Sequence, residues 1–155
     1  MGTARRWRMA PGWEGYNTVD QNTHRLLARW AADCAERVLP YFETERPDDA
    51  RPRVAIEAAR AWADGEVTVG EVIQLGRAAH AAARETEGTA AREAARAAGH
   101  AVATGHVDGH AIGAPNYALK AVAAVESADV DAHEREREWQ SARLPSALRN
   151  VVTYS

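Results

Sequence analysis

Four histidines carry the chemistry this chain could do. His100, His106 and His110 lie close together, and His80 falls one predicted helix earlier. Imidazoles ligate transition metals and exchange protons near neutral pH. On a helix continuing through His110, His106 and His110 at i and i+4 would project from one face, as two ligands of a single metal do. Asp108 between them points roughly the other way, so a third ligand would have to come from His80, His100 or a distant acid. Two histidines so spaced fall short of the glutamate-containing zincin motif. Imidazoles bonding across an alanine-rich helix interface are the preferred reading, and neither a metal nor another cofactor is expected.

Other constellations are weaker. The glycines after Gly99 follow no strand and lack the Lys-Ser/Thr ending of a phosphate loop. There is no G-x-S-x-G elbow, and Ser127, Ser141, Ser146 and Ser155 have no obvious base nearby. No catalytic residue is assigned, and the chain is not expected to be an enzyme. Cys34, the single cysteine, sits on an apolar helical stripe and reads as a buried structural thiol. Glu134, Glu136 and Glu138 alternate with Arg135 and Arg137, a solvated helix face. Glu126, Asp129 and Asp131 form one acidic stretch. Glu43, Glu45, Asp48 and Asp49 form another, and with any exposed tryptophan they are the candidate partner-binding residues. Such acids could steer a basic partner, although acids also solubilise loops and favour helix N-termini.

The elements that position these groups follow from composition and period. Alanine, the best helix former, supplies nearly a quarter of the 155 residues. Thr18 and Gln21 are spaced as a capping box for a first helix. Its stripe is Leu26, Leu27, Trp30, Ala31, Cys34 and Val38, and Pro40 should kink or end it. Residues 43–53 read as a loop. Pro52 opens a second helix that Gly65 ends; Thr68 and Glu71 open a third running to about Arg84; Thr89 caps a fourth. Ala94, Ala97, Ala98, Ala101 and Gly105 form a ridge of small residues there. A bend is expected between His106 and Ala114, then a fifth helix from Pro115, a sixth anchored by Trp139, and a short terminal helix after Pro145. No strand is predicted. The fold class is all-α, a single compact bundle of six to seven helices over residues 18–155, with residues 1–17 an irregular arm folded back on it.

Several segments together resemble a known family: the run from His24 through Trp30 and Cys34 to Pro40, the Ala55–Trp62 stretch with Gly65 and Glu66, Ala79–Arg84, and Ala95–Thr104 followed by His106, His110 and Tyr117–Val122. They are similar to the bacterial immunity proteins with an all-helical immunity-five-like domain. The resemblance runs from about Thr18 to the C-terminus and excludes the arm. It implies a small cytoplasmic protein that binds and neutralises a cognate protein toxin without catalysis, and it brings no catalytic residues. The alternative is a helical metal- or small-molecule-binding protein using His80, His100, His106 and His110. A homodimer, resting on the alanine ridge and Trp139, is a further expectation. A net charge of −3 disfavours nucleic acid as a partner, and no apolar run is long enough for a membrane span.

Overall fold

A chain this rich in alanine folds into helices that can lie unusually close together. The computed structural model describes residues 5–15 and 19–155, and among them are six α-helices: α1 (Gln21–Glu45), α2 (Arg51–Ala63), α3 (Val69–Arg84), α4 (Thr89–Ala103), α5 (Gly113–Val125) and α6 (Ala132–Arg143). Ala94, Ala95, Ala97, Ala98, Ala101 and Val102 are all fully buried, so α4 is apolar on more than one side and must be enclosed. It touches α1, α2, α3 and α5, while α6 lies against α5 and α1. The larger core side chains come mainly from α1, where Leu27, Trp30, Val38, Leu39 and Phe42 are buried. Among the described residues, no helix is long and apolar enough to cross a membrane.

Helix ends repay comparison with the sequence. The cap of α1 is Asp20, whose carboxylate accepts from the Thr23 amide at 2.8 Å; Thr18 lies outside the described residues. Pro40 neither kinks the chain out of helix nor ends it, because α1 continues through it to Glu45. Pro40 is exposed, and burial of Leu39 and Phe42 on either side outweighs one lost amide bond. Glu43 and Glu45 are therefore helical, and the loop is only 46–50. Gly65 ends α2 at φ +78°, with its amide bonded to Trp62 O and that of Glu66 to Ala61 O, the paired bonds of a glycine C-cap. Thr68 accepts from the Glu71 amide at 3.2 Å as expected. At α4 the cap is Gly88 and not Thr89, and the Gly88 amide donates to Glu45 Oε2 at 3.3 Å.

The two ends of the chain meet outside the helices. Trp7–Met9, in the stretch expected to be irregular, is a strand β1, and it pairs antiparallel with β2 (Val152–Tyr154), with Trp7 opposite Tyr154 and Met9 opposite Val152. Three residues are too few for alternation to reveal. After Pro145 the chain makes one 3-10 turn, Ser146–Leu148, instead of an α-helix. Trp7 is buried; its indole donates to Gln140 Oε1 at 2.8 Å and its ring meets Trp30 edge-on at 4.9 Å. Gln140, also fully buried, donates to Pro115 O at 3.0 Å, and Trp30 donates to Gln140 O at 3.0 Å. Ala132, Glu136 and Gln140, not Trp139, are the buried residues of α6, and Trp139 is half-buried against the guanidinium groups of Arg37 and Arg143.

Candidate functional site

The break between α4 and α5 brings the histidines to their places. After Ala103 the chain turns, forms a 3-10 segment Asp108–Ile112 and re-enters helix at Gly113. The expected bend between His106 and Ala114 is present, so His106 and His110 do not share an α-helical face and the i, i+4 ligand pair that an unbroken helix would have given does not form. His106 is exposed on the turn, near enough for its charge to reach His110. His80 of α3, His100 of α4 and His110 do meet: ring centroids are 5.2 Å apart for His80 and His100, and 5.5 Å for His100 and His110. Tyr117 of α5 stacks on His100 at 5.0 Å and 22°.

These rings meet without converging on one point. A Cβ at Gly99 would come within 2.6 Å of His80 Nε2, and one at Gly113 within 2.4 Å of His100 Nδ1, so both nitrogens face helix backbone. Among the described residues, no three His, Cys, Asp or Glu side chains are placed to hold a metal ion. Burial, followed by the neighbouring His80, His110 and Lys120, pushes His100 down to about 4. Burial also lowers His80, assisted by Arg84 and Arg96, and lowers His110. All three rings are therefore neutral at neutral pH. Burial raises the Cys34 thiol well above its ordinary value, which keeps it protonated and unreactive.

Beside this cluster, between α5 and the paired strands, runs a groove of about 820 Å³. His100, His110 and Tyr117 line it from the helical body, and Trp7, Met9 and Trp13 from the arm. The arm is fixed there by side chains. Asn116 of α5 accepts from the Trp7 amide at 2.9 Å and donates to the Trp7 carbonyl at 3.0 Å, bonding that residue as a neighbouring strand would. Trp13 donates to the fully buried Asp108 at 2.8 Å, and its ring lies on Gly109, where a Cβ would come within 2.4 Å. The groove's cations are Arg5, Arg6, Arg8 and Lys120. Among the described residues that line it there is no Asp or Glu.

The acidic candidates are largely engaged within the molecule. Glu43 makes two 2.7 Å bonds to Arg53, and these hold its carboxyl below the usual range. Asp49 is likewise lowered by Arg51, at 2.7 and 2.9 Å, and Arg46 lies 3.5 Å away. Glu45 accepts from Gly88, as above, and Asp48 is exposed. Glu45, Asp48 and Asp49 line one hollow where α1 ends, together with Arg46, and Glu43 lies one turn earlier on α1. None of the five tryptophans is exposed: Trp7, Trp30 and Trp62 are buried, and Trp13 and Trp139 are half-buried. No tryptophan is thus an exposed anchor, and only Trp13 and Trp139 offer part of a ring to a partner.

Sequence reasoning missed the groove because its cations come from the arm and from α5, far apart in the chain. The one available signal was the glycine series. Gly99, Gly105, Gly109 and Gly113 are where the rings of His80, Trp62, Trp13 and His100 lie against backbone.

A protein-family model described as "Imm-5 like putative immunity protein" matches residues 17–147. No curated protein and no solved structure matches the chain. The matched stretch holds all six α-helices and the histidine cluster, and it leaves β1 and β2 outside. With that stretch covering most of its length, this chain belongs to the Imm-5 like immunity protein family.

Proposed function

We propose that this chain protects a bacterial cell by binding a protein toxin in the cytoplasm and covering the surface the toxin works with, catalysing no reaction itself. Membership of the immunity family is the observation that carries the reading. The geometry supports it in two ways. The groups with catalytic potential are engaged in packing: the histidines lie ring against ring, Cys34 is a buried thiol, and Glu43 and Asp49 are tied to arginines. The helices share one continuous apolar core, and a rigid partner loses little entropy on binding. A metal site built from His80, His100, His106 and His110 draws less support, since one ring nitrogen of each of His80 and His100 faces backbone and no three ligand side chains among the described residues are placed to hold an ion.

Tight occlusion needs about 1,600 Å² of buried interface, which a 155-residue body can offer. The test is to express the chain together with the toxin encoded beside its gene, measuring cell survival and isolating the complex. Survival with a stoichiometric complex is expected. Unchanged killing, with the two proteins eluting separately, removes the reading.

A further inference from the structure

The groove between the paired strands and α5 carries a charge opposite to that of the whole molecule. Arg5, Arg6, Arg8 and Lys120 line it, in a chain of net charge −3. Elsewhere among the described residues nine arginines pair with carboxylates within 4 Å, and the other unpaired arginines, such as Arg25, Arg77 and Arg149, line no common groove with one another. The four groove cations make no ion pair with an Asp or Glu among the described residues. Arg5 lies over the ring of Tyr154 at 4.8 Å and Lys120 over Tyr117 at 4.7 Å, while Arg8 reaches only the main-chain oxygen of Ser155, at 3.3 Å. Glu134, whose carboxyl feels Arg5, is itself bonded to Arg137. Bringing like charges together in this way costs free energy unless a ligand of opposite sign offsets it.

We propose that this groove is the docking site for an acidic, extended segment of a partner protein; in naming the toxin as that partner, the inference rests on the function proposed above. The walls suit a peptide because Met9, Trp13 and Ile112 offer partly exposed apolar surface between the cations, so side chains of both kinds are accommodated. Nucleic acid fits less well. A long polyanion must run beyond four cations onto a negatively charged body, whereas a short acidic segment meets the groove alone. The cations have two origins: Lys120 lies in the stretch matched by the family, and Arg5, Arg6 and Arg8 lie outside it. The groove is therefore a place where this chain adds recognition to the shared helical body.

The experiment uses the full chain and its neighbour-encoded toxin. The combined variant Arg6→Glu, Arg8→Glu and Lys120→Glu is compared with Arg25→Glu, Arg77→Glu and Arg149→Glu, which changes net charge equally at exposed positions outside the groove. Circular dichroism and melting confirm that both variants fold. The groove variant is expected to weaken the complex on the order of 100-fold and flatten its salt dependence, with the control changing it only a few-fold. Equal weakening by both variants, or by neither, overturns the groove while leaving toxin binding intact. If the unmodified chain forms no complex, toxin binding falls, and a second measurement decides the groove. Fluorescence anisotropy with a labelled twelve-residue Glu/Leu peptide and with a single-stranded oligonucleotide of equal charge serves here. Peptide binding lost in the groove variant alone supports the proposal; no peptide binding, or tighter oligonucleotide binding, overturns it.

Discussion

At the scale of single residues, His100 is the most perturbed imidazole, because burial first and then three neighbouring basic groups disfavour its charge. His80 approaches from α3, His110 from the 3-10 segment and Lys120 from α5, where Tyr117 also stacks on the ring. Its value falls from 6.5 in the unfolded chain to about 4 in the fold, so the unfolded state binds more protons between those limits. Stability is consequently undiminished above pH 6.5 and declines as pH falls toward 4, by as much as about 3 kcal/mol at this site. His80 and His110 shift in the same direction and add to the decline. The variant His100→Phe keeps a ring on Tyr117 and removes one titration. Its melting temperature should drop less between pH 7 and pH 4.5 than that of the unmodified chain; parallel curves would mean His100 is not charged on unfolding. The glycines give a second, signed comparison. Gly113→Ala places a Cβ 2.4 Å from the His100 ring and should cost about 1–3 kcal/mol in denaturant unfolding. Gly70→Ala in α3 meets only Thr68 Oγ1 at 3.8 Å and should stabilise by up to about 1 kcal/mol. Both changes raise helix propensity, so opposite signs would isolate the ring contact.

At the scale of elements, α1 shows how packing overrides a local rule. Proline inside a helix removes one amide bond and crowds the preceding turn, yet residues on both sides of Pro40 remain helical and buried. Pro40→Ala restores the missing amide at an exposed position, although it also frees the unfolded chain. The repair should prevail, raising stability by about 1–2 kcal/mol, read as a higher denaturant midpoint with an unchanged slope. A lower midpoint would show that α1 is already bent to fit the proline. Helix number, α3 and its Thr68 cap were legible because three- and four-residue spacing and cap chemistry are local signals. The continuation of α1, the true caps Asp20 and Gly88, and the strand pairing were not. The Gly88 cap and the strand pairing depend on contacts distant in sequence, Glu45 with Gly88 and Trp7 with Gln140 and Asn116. The Asp20 cap, in contrast, is a local bond to Thr23 that competes with the equally plausible spacing of Thr18 and Gln21. The histidines were legible as a group from their closeness. Their geometry was not, because it depends on where the chain leaves helix after Ala103 and on which glycines let rings approach.

At the scale of the whole molecule, a buried polar chain of contacts joins the paired chain ends to the helical body, beside the bonds to Asn116 and Asp108. Trp7 donates to Gln140 Oε1, Gln140 Nε2 donates to Pro115 O, and Trp30 donates to the Gln140 main-chain carbonyl, so arm, α6, α5 and α1 meet at a single residue. Such a network is stabilising only when its members are satisfied together. Gln140→Leu keeps the volume but leaves the Trp7 indole N–H and the Pro115 carbonyl buried without that partner, at a cost of about 1–3 kcal/mol. Trp7→Ala opens a cavity beside Trp30 and should cost about 3–5 kcal/mol. Once Trp7 is absent, one of the two bonds made by the Gln140 side chain no longer exists to be broken. The double variant should therefore be less destabilised than the two single costs together, by at least about 1 kcal/mol. Strict additivity in chemical denaturation would mean that Trp7 is held by burial alone. Groove recognition should then survive Gln140→Leu, whereas coupling predicts that loosening this amide also blurs the position of Arg6 and Arg8 on β1 and its flank.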